Sequence, residues 1–337
     1  MCQRAYPARA LLSLNTYNGY KRTKGGRLMS EKYPINKEFG LLKRFVAPMN
    51  PHIITVSKAI MGVPRYVWND PDVSVEERSI AGHLGGEVEL LIMRPAALGD
   101  SAPCLIDIHG GGFVFEAAPY HYRLALEYAK QARCVVVFVI YRLAPEFPFP
   151  YPQEDCYAAV KWVFDNAKHL KVDPARIGIG GDSAGGTLTV TSCMMLRDRG
   201  DAAAPLFQLL IYPWLDGRNN SQAYRAYTDV PVWNSSISKK VEPLINPDPE
   251  ATPLAYRSPA EAENFKGLPP AYIEVAEFDS LHDDGVLYAQ LLRDEQIPVE
   301  FHETHGTIHG FDAIFKAPTT QEMLAKRIAF MRRMFGS

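Results

Sequence analysis

The sequence lacks several patterns that mark common classes of protein. Its five cysteines show no C-x-x-C spacing, and an odd number of thiols does not complete a disulfide framework. No apolar run approaches the roughly 18 residues that a membrane-spanning helix needs. The net charge is −2 and no basic stripe is present, which disfavours a nucleic-acid partner. We therefore expect a protein of the reducing cytoplasm, with no stable membrane insertion and no bound nucleic acid.

Motifs for bound nucleotides and metals are also missing. No G-x-x-x-x-G-K-[ST] occurs, and a dinucleotide fingerprint counted from Gly178 places Ser183 where its third glycine belongs. The histidine-rich segment from His302 to His305 is one residue short of H-E-x-x-H, so two ligands on one helical face are not available. We expect neither a cofactor nor a metal site.

The chain of 337 residues shows the alternation of strands and helices that is typical of an α/β protein. It has 47% hydrophobic residues and enough length to bury a sizeable core. Apolar alternation around 88–92 predicts two antiparallel edge strands, 73–81 and 86–94. From residue 104 onward, short apolar strands alternate with helices, which predicts a mostly parallel central sheet flanked by helices. The further strands are predicted at 104–108, 134–141, 176–180, 206–212, 271–277 and 298–304. A last helix is predicted to begin at Thr319, with a capping box to Glu322.

The remaining segments divide the chain further. We expect residues 1–28 to be a disordered extension and 29–72 to form short helices interrupted by prolines. The long stretch between residues 212 and 271 is too long for a structureless loop in a compact domain. We therefore expect an insertion at 213–258 with its own short helices over one end of the sheet. The core is then 73–212 together with 259–337.

A glycine-rich turn at 177–186 joins an apolar strand to a helical run. Within it, Gly181-x-Ser183-x-Gly185 has the spacing of a nucleophile elbow, in which small residues two before and two after the serine prevent clashes. Such a turn places the hydroxyl above the sheet edge, where the next helix points its free N–H groups. Taken alone, the segment could also be a purely structural turn.

Two more residues complete a catalytic arrangement with this serine. His309 follows the last predicted strand and Asp279 ends the strand before it, in the chain order Ser, Asp, His expected for an α/β-hydrolase. Asp283 and Asp284 are alternatives for the acid, but they lie where a helix begins and are expected to cap it. The His109-Gly110-Gly111-Gly112-Phe113 run follows another strand. It is either a flexible loop or a set of backbone donors for an oxyanion.

These motifs together resemble the hormone-sensitive-lipase-like esterases, the bacterial family IV branch of the α/β-hydrolase fold. The resemblance runs from about residue 70 to 330 and includes the segments 141–146 and 181–186. It implies Ser183 as nucleophile, His309 as base and Asp279 as its orienting acid. It further implies an oxyanion hole made of the N–H groups of three residues, which are Gly111, Gly112 and Ala184. The 29–72 and 213–258 segments would form a helical cap, and the substrate pocket would be lined by Phe113, Trp214, Trp233 and Ile308.

The resemblance implies hydrolysis of short- to medium-chain acyl esters, with an optimum at about four to six carbons because each buried methylene adds affinity only up to the limit of the pocket. An amide hydrolase of the aryl-acylamide deacetylase or formamidase type would use the same residues. A ligand-binding receptor on this fold is disfavoured, because the plant gibberellin receptors lack the histidine that is His309 here. The sequence does not decide between a monomer and a homodimer.

Overall fold

The structure is a computed structural model that describes residues 32–47 and 70–336. The chain forms two units, 1–34 and 35–337, and the sheet with its helices belongs to the second. The expected disordered extension at 1–28 lies outside the described residues, as does most of the expected helical segment 29–72. The described part of that segment contains two short 3₁₀ turns, Lys37–Phe39 and Leu42–Arg44.

A single sheet of eight strands organises the described residues, in the order β1-β2-β4-β3-β5-β6-β7-β8. The first two strands are antiparallel to their neighbours, and the other pairs are all parallel. The predicted fold class is therefore confirmed. The strands are β1 (Val73–Ala81), β2 (Glu87–Pro95), β3 (Ala102–Ile108), β4 (Val135–Ile140), β5 (Val172–Asp182), β6 (Gln208–Ile211), β7 (Ala271–Phe278) and β8 (Val299–Ile308).

Burial explains why the strands occupy these places. All six residues of β4, the run VVVFVI, are buried, as expected for a strand covered on both faces. Edge strand β1 is exposed at most positions and buries only Val73 and Ile80. Parallel pairing places Ile108, at the end of β3, opposite Gly181 in β5. The carboxyl ends of the central strands therefore meet at one edge of the sheet, where sites form in open α/β folds.

Helices connect the strands and cover the sheet. Among the described residues they are α1 (Pro119–Ala132), α2 (Tyr151–Asp165), α3 (Ala184–Asp198), α4 (Gln222–Ala226), α5 (Ser235–Ile245), α6 (Leu254–Arg257), α7 (His282–Asp294) and α8 (Pro318–Phe335). Helices α4, α5 and α6 lie between β6 and β7, within the 213–258 segment.

The predicted capping box at the start of the last helix is wrong. Helix α8 begins at Pro318 with Ala317 as its N-cap, and no side chain caps it. Proline suits the first helical position because its missing N–H would be unpaired there in any case. Glu322 instead forms an ion pair at 2.8 Å with Lys326, one turn further along.

Candidate active site

Ser183 lies in the turn between β5 and α3, in a backbone conformation that residues with a side chain rarely adopt. Its φ is 53° and its ψ is −117°. Gly181 and Gly185 have no room for a side chain. A Cβ on Gly181 would lie 2.5 Å from the carbonyl oxygen of Ile108, and one on Gly185 would lie 1.9 Å from the same oxygen. The turn therefore packs directly against the end of β3, and the strain at Ser183 is held by this close packing.

His309 and Asp279 reach Ser183 from the ends of two other strands. His309 directly follows β8, and Asp279 directly follows β7. His309 Nε2 lies 2.9 Å from Ser183 Oγ, and His309 Nδ1 lies 2.7 Å from Asp279 Oδ2. All three residues are buried. The backbone N–H of Leu281 donates to Asp279 Oδ1 at 2.9 Å, which fixes the carboxylate. The structure thus joins these three predicted residues in one hydrogen-bonded row.

The other two aspartates have different partners, and the prediction that they cap the helix is wrong. The N-cap of α7 is Leu281, which has no side-chain cap. Asp284 Oδ2 accepts from the backbone N–H groups of Leu215 and Asp216, at 2.9 and 3.0 Å. Asp283 Oδ2 accepts from the N–H of Ala223 at 2.9 Å. Both carboxylates therefore hold the segment after β6 through its backbone N–H groups.

The glycine-rich loop after β3 is held against the turn that carries Ser183. Gly111 and Gly112 have φ of 109° and 59°, values at which glycine has no steric cost. The N–H of Gly110 donates to Asp182 Oδ1 at 2.8 Å, so the residue before Ser183 anchors this loop. Ala184 is the first residue of α3, and its N–H is one of those a helix leaves without an internal partner.

His109, the first residue of this loop, is held in place by Tyr141. Its ring stacks on Tyr141 with the ring centroids 4.5 Å apart, and the Tyr141 hydroxyl donates to the His109 carbonyl at 3.0 Å. Burial lowers the pKa of His109 to about 3, so the ring is neutral. This histidine therefore supports the loop and is not placed to exchange protons with Ser183.

Two residues near the site carried no predicted role. Asp182 joins Gly110 to His121, whose Nε2 lies 3.2 Å from Asp182 Oδ2. Burial opposes its charge, but His121 and the Gly110 N–H hold the pKa of Asp182 below its usual value. Tyr212, which directly follows β6, places its ring 4.8 Å from that of His309. Only their positions could have indicated these two residues, because one ends a strand beside the site and the other directly follows one.

Three of the four predicted pocket residues meet beside the glycine-rich loop. Trp233 lies directly over Gly112, where a Cβ would come within 2.3 Å of its ring. The Trp233 ring is 6.2 Å from that of His309 and 5.9 Å from that of Trp214. Phe113 lies 6.0 Å from Trp214. The fourth residue, Ile308, is buried in β8 opposite Phe278, immediately before His309.

Side chains suited to metal binding are paired with other groups. His302 Nε2 lies 2.9 Å from a Glu300 oxygen, and His305 lies 3.7 Å from Glu277. Across the described residues, no group of three or more His, Cys, Asp or Glu side chains could hold a metal ion. In the same part of the chain, no helix is both long and apolar enough to cross a membrane.

Comparison with known proteins identifies the class. A family model described as alpha/beta hydrolase fold matches residues 105–313. The chain belongs to this α/β-hydrolase family.

Individual relatives narrow the class further. The esterase LipI of Mycobacterium tuberculosis (strain ATCC 25618 / H37Rv) is 35% identical over 265 residues, which cover 77% of this chain and 81% of LipI. The carboxylesterase NlhH of the same strain is 33% identical over 270 residues, or 78% of this chain and 83% of NlhH. Among solved structures, a bacterial heroin esterase matches with a TM-score of 0.82 at 30% identity, covering 90% of this chain and 99% of its own. These relatives confirm the resemblance to the hormone-sensitive-lipase-like esterases, and with the fold they define an ester hydrolase.

Proposed function

We propose that this protein hydrolyses short- to medium-chain carboxylic esters through Ser183, His309 and Asp279, by way of an acyl-enzyme. The observation that carries the proposal is a pair of hydrogen-bonding distances. Ser183 Oγ lies 2.9 Å from His309 Nε2, and His309 Nδ1 lies 2.7 Å from Asp279 Oδ2. A serine hydroxyl is a weak nucleophile until an adjacent base accepts its proton. This arrangement supplies the base and the group that orients it.

The chemistry follows in two half-reactions. His309 accepts the proton of Ser183 as the hydroxyl oxygen attacks the ester carbonyl, and the resulting imidazolium gives that proton to the departing alcohol. Water then attacks the acyl-enzyme with His309 again as base, which releases the acid and restores Ser183. Asp279 remains ionised and holds the imidazole in the required tautomer.

Backbone N–H groups are proposed to stabilise the oxyanion formed in each half-reaction. Gly111 and Gly112 lie in the loop tied to Asp182, and Ala184 begins the helix that follows the nucleophile. Donors held in place before charge develops contribute more than donors that must reorient. The anchoring of this loop supports its assignment as the oxyanion hole.

We propose that the 213–258 segment caps the acyl pocket, together with the 29–72 segment, most of which lies outside the described residues. The position of Trp233 over Gly112 supports this role, because the ring limits the space beside Ser183.

The direct test is the Ser183→Ala variant. We expect kcat for p-nitrophenyl butyrate to fall on the order of 10⁴-fold or more, since the nucleophile itself is removed. Ser192→Ala is a matched control, because Ser192 is also a buried serine and lies on the helix that directly follows Ser183. More than a few per cent of residual activity in Ser183→Ala, or an equal loss in the control, would contradict the assignment.

An acyl pocket of limited length predicts a chain-length profile. Each methylene that enters contributes about 0.8 kcal/mol of burial, so kcat/KM rises with acyl length until the pocket is full. We expect the maximum at about four to six carbons, as the resemblance to the hormone-sensitive-lipase-like esterases implies. Assays with p-nitrophenyl esters of graded acyl length measure this directly. A maximum at about twelve carbons or beyond would refute the small pocket. Parallel assays with matching anilides decide between ester and amide hydrolysis, because faster cleavage of the anilides would favour the amide hydrolase.

A further inference from the structure

A cavity lies beside the candidate site, one helical turn beyond Ser183. Thr187 is one of the residues that line it, and the Thr187 N–H donates to the Ser183 carbonyl at 3.3 Å. It opens to solvent, and its enclosed part holds about 20 Å³, which is room for a group the size of a water molecule or a hydroxyl. Four of the side chains that line it are apolar: Phe113, Phe149, Trp214 and Ile245.

Polar side chains from the end of α5 and from α6 complete the lining. They are Glu242, Asn246 and Arg257. Asn246 is 8% exposed, and its Nδ2 donates to Glu242 Oε1 at 3.3 Å. Two polar atoms of these side chains, Asn246 Oδ1 and Arg257 Nε, are buried without a hydrogen-bond partner among the described residues. Buried polar atoms are almost always paired, so this donor and acceptor mark a place for a water molecule or for a polar group of a ligand.

The backbone that carries these side chains is fixed on both sides. The N–H of Phe149 donates to the carbonyl of Ile245, the residue before Asn246, at 2.8 Å. Next to Arg257, the Thr191 hydroxyl donates to the carbonyl of Tyr256 at 3.0 Å. On its other side, the N–H of Gly217 donates to Ser258 Oγ at 2.7 Å. The backbone on either side of the donor and the acceptor is therefore fixed before any ligand arrives.

The charges of the lining restrict the ligand. A carboxylate would be attracted by the Arg257 guanidinium and repelled by the Glu242 side chain, and an ammonium group the reverse, so the lining favours an ionised group of neither sign. A hydroxyl has both an acceptor for Arg257 Nε–H and a donor for Asn246 Oδ1. The apolar side chains of the lining suit the short carbon chain that would carry such a hydroxyl.

We propose that this cavity is a specificity subsite that binds a neutral hydroxyl group of the substrate through Arg257 Nε and Asn246 Oδ1. The inference rests on the proposed ester hydrolysis at Ser183 and names the substrate class of that site: short esters with a hydroxyl on the acyl or the alcohol part.

The test uses pairs of esters in which a hydroxyl replaces a methyl group. The acyl pair is p-nitrophenyl 3-hydroxybutyrate and p-nitrophenyl 3-methylbutyrate. The alcohol pair is 4-hydroxybutyl acetate and pentyl acetate, followed by titration of the released acid. After correction for alkaline hydrolysis rates, we expect the parent protein to favour the hydroxylated ester about tenfold or more in one of the two pairs, because a buried polar pocket rejects an analogue that cannot pair with it. The pair that responds identifies the side of the ester that enters the cavity.

Variants then assign the effect to the two side chains. In Arg257→Met and in Asn246→Leu, we expect this preference to fall about tenfold, a ratio in which the intrinsic reactivities of the esters cancel. Arg225→Met is the matched control, since Arg225 is an exposed arginine in the same insertion, and the preference should not change.

Two results would overturn the subsite. One is a parent protein that favours the methyl ester in both pairs, which needs no variant to establish. The other is a preference that survives both substitutions. In either case the proposed hydrolysis is judged separately. It would stand if the parent protein cleaves the apolar esters and Ser183→Ala does not. A parent protein that cleaves none of the four esters would instead refute the hydrolysis, and the subsite with it.

Discussion

At the scale of single residues, the candidate site depends on side chains that end different strands. Ser183 follows β5, Asp279 follows β7 and His309 follows β8. Because parallel strands end at the same edge of the sheet, residues separated by up to 126 positions come within hydrogen-bonding distance. Asp279 is the proposed acid because its carboxylate faces His309 Nδ1, whereas Asp283 and Asp284 face backbone N–H groups of the insertion.

The Asp279→Asn variant tests that distinction. An amide can present its NH₂ group to His309 Nδ1, which would favour the tautomer that cannot accept the proton of Ser183. We expect kcat for p-nitrophenyl butyrate to fall on the order of 10⁴-fold with little change in fold. Asp283→Asn is the matched control, with a far smaller expected effect on kcat. A similar loss in both variants would show that Asp279 has no special role.

At the scale of elements, the first turn of α7 connects the site to the insertion. His282 lies between Asp283 and Glu303 of β8, with ring nitrogens 2.9 and 3.4 Å from their carboxylates. Asp283 also accepts from the N–H of Ala223 in α4. Burial opposes the charge on His282, but the two carboxylates outweigh it and raise its pKa to about 9. A protonated His282 therefore helps to hold α4, α7 and β8 together.

This pairing predicts how stability depends on pH. Because the pKa of His282 is raised on folding from 6.5 to about 9, its contribution is complete below about pH 6.5 and is lost as the pH rises through 9. We expect the free energy of unfolding, measured with urea, to fall over this range by up to about 3 kcal/mol. In His282→Gln that part of the pH dependence should disappear. An unchanged pH profile in the variant would show that another group causes the loss.

At the scale of the whole molecule, a fully buried ion cluster connects the last helix to the sheet and to the site. Arg327 of α8 donates to both oxygens of Glu274 in β7, at 2.5 and 2.9 Å, and to Asp312 Oδ2 at 3.0 Å. Asp312 also accepts from the hydroxyl of Tyr212, whose ring packs against His309. The C-terminal helix therefore belongs to the support of the site, although it lies far from Ser183 in sequence.

Removing the cation should destabilise the whole fold. Arg327→Met leaves two carboxylates buried without a counter-charge, and breaking such a pair costs about 3–5 kcal/mol. Arg333→Met is the matched control on the same helix, since Arg333 is 58% exposed and pairs at the surface with Glu300. Its expected cost is below about 1 kcal/mol. Urea unfolding of both variants measures the difference, and equal losses would contradict the account of the cluster.

The central strands and the turn at Ser183 could be predicted from the sequence, because each depends on residue types within its own short segment. Buried parallel strands require continuous apolar runs such as that of β4, and the turn at Ser183 requires glycines at 181 and 185, where a side chain would meet the end of β3. The chain order of Ser183, Asp279 and His309 could likewise be recognised from their positions after predicted strands.

Only the tertiary structure decided the contacts that depend on the path of the insertion. Between residues 212 and 271 no period predicts where a side chain points, so neither Trp233 over Gly112 nor the cavity beside Arg257 could be derived from the pattern. The same holds for Asp283 and Asp284. Their place at a helix start predicts caps, and only the insertion brings them the backbone N–H groups that they bind instead. Such contacts join residues distant in the chain, and their geometry exists only once the sheet has brought its strand ends together.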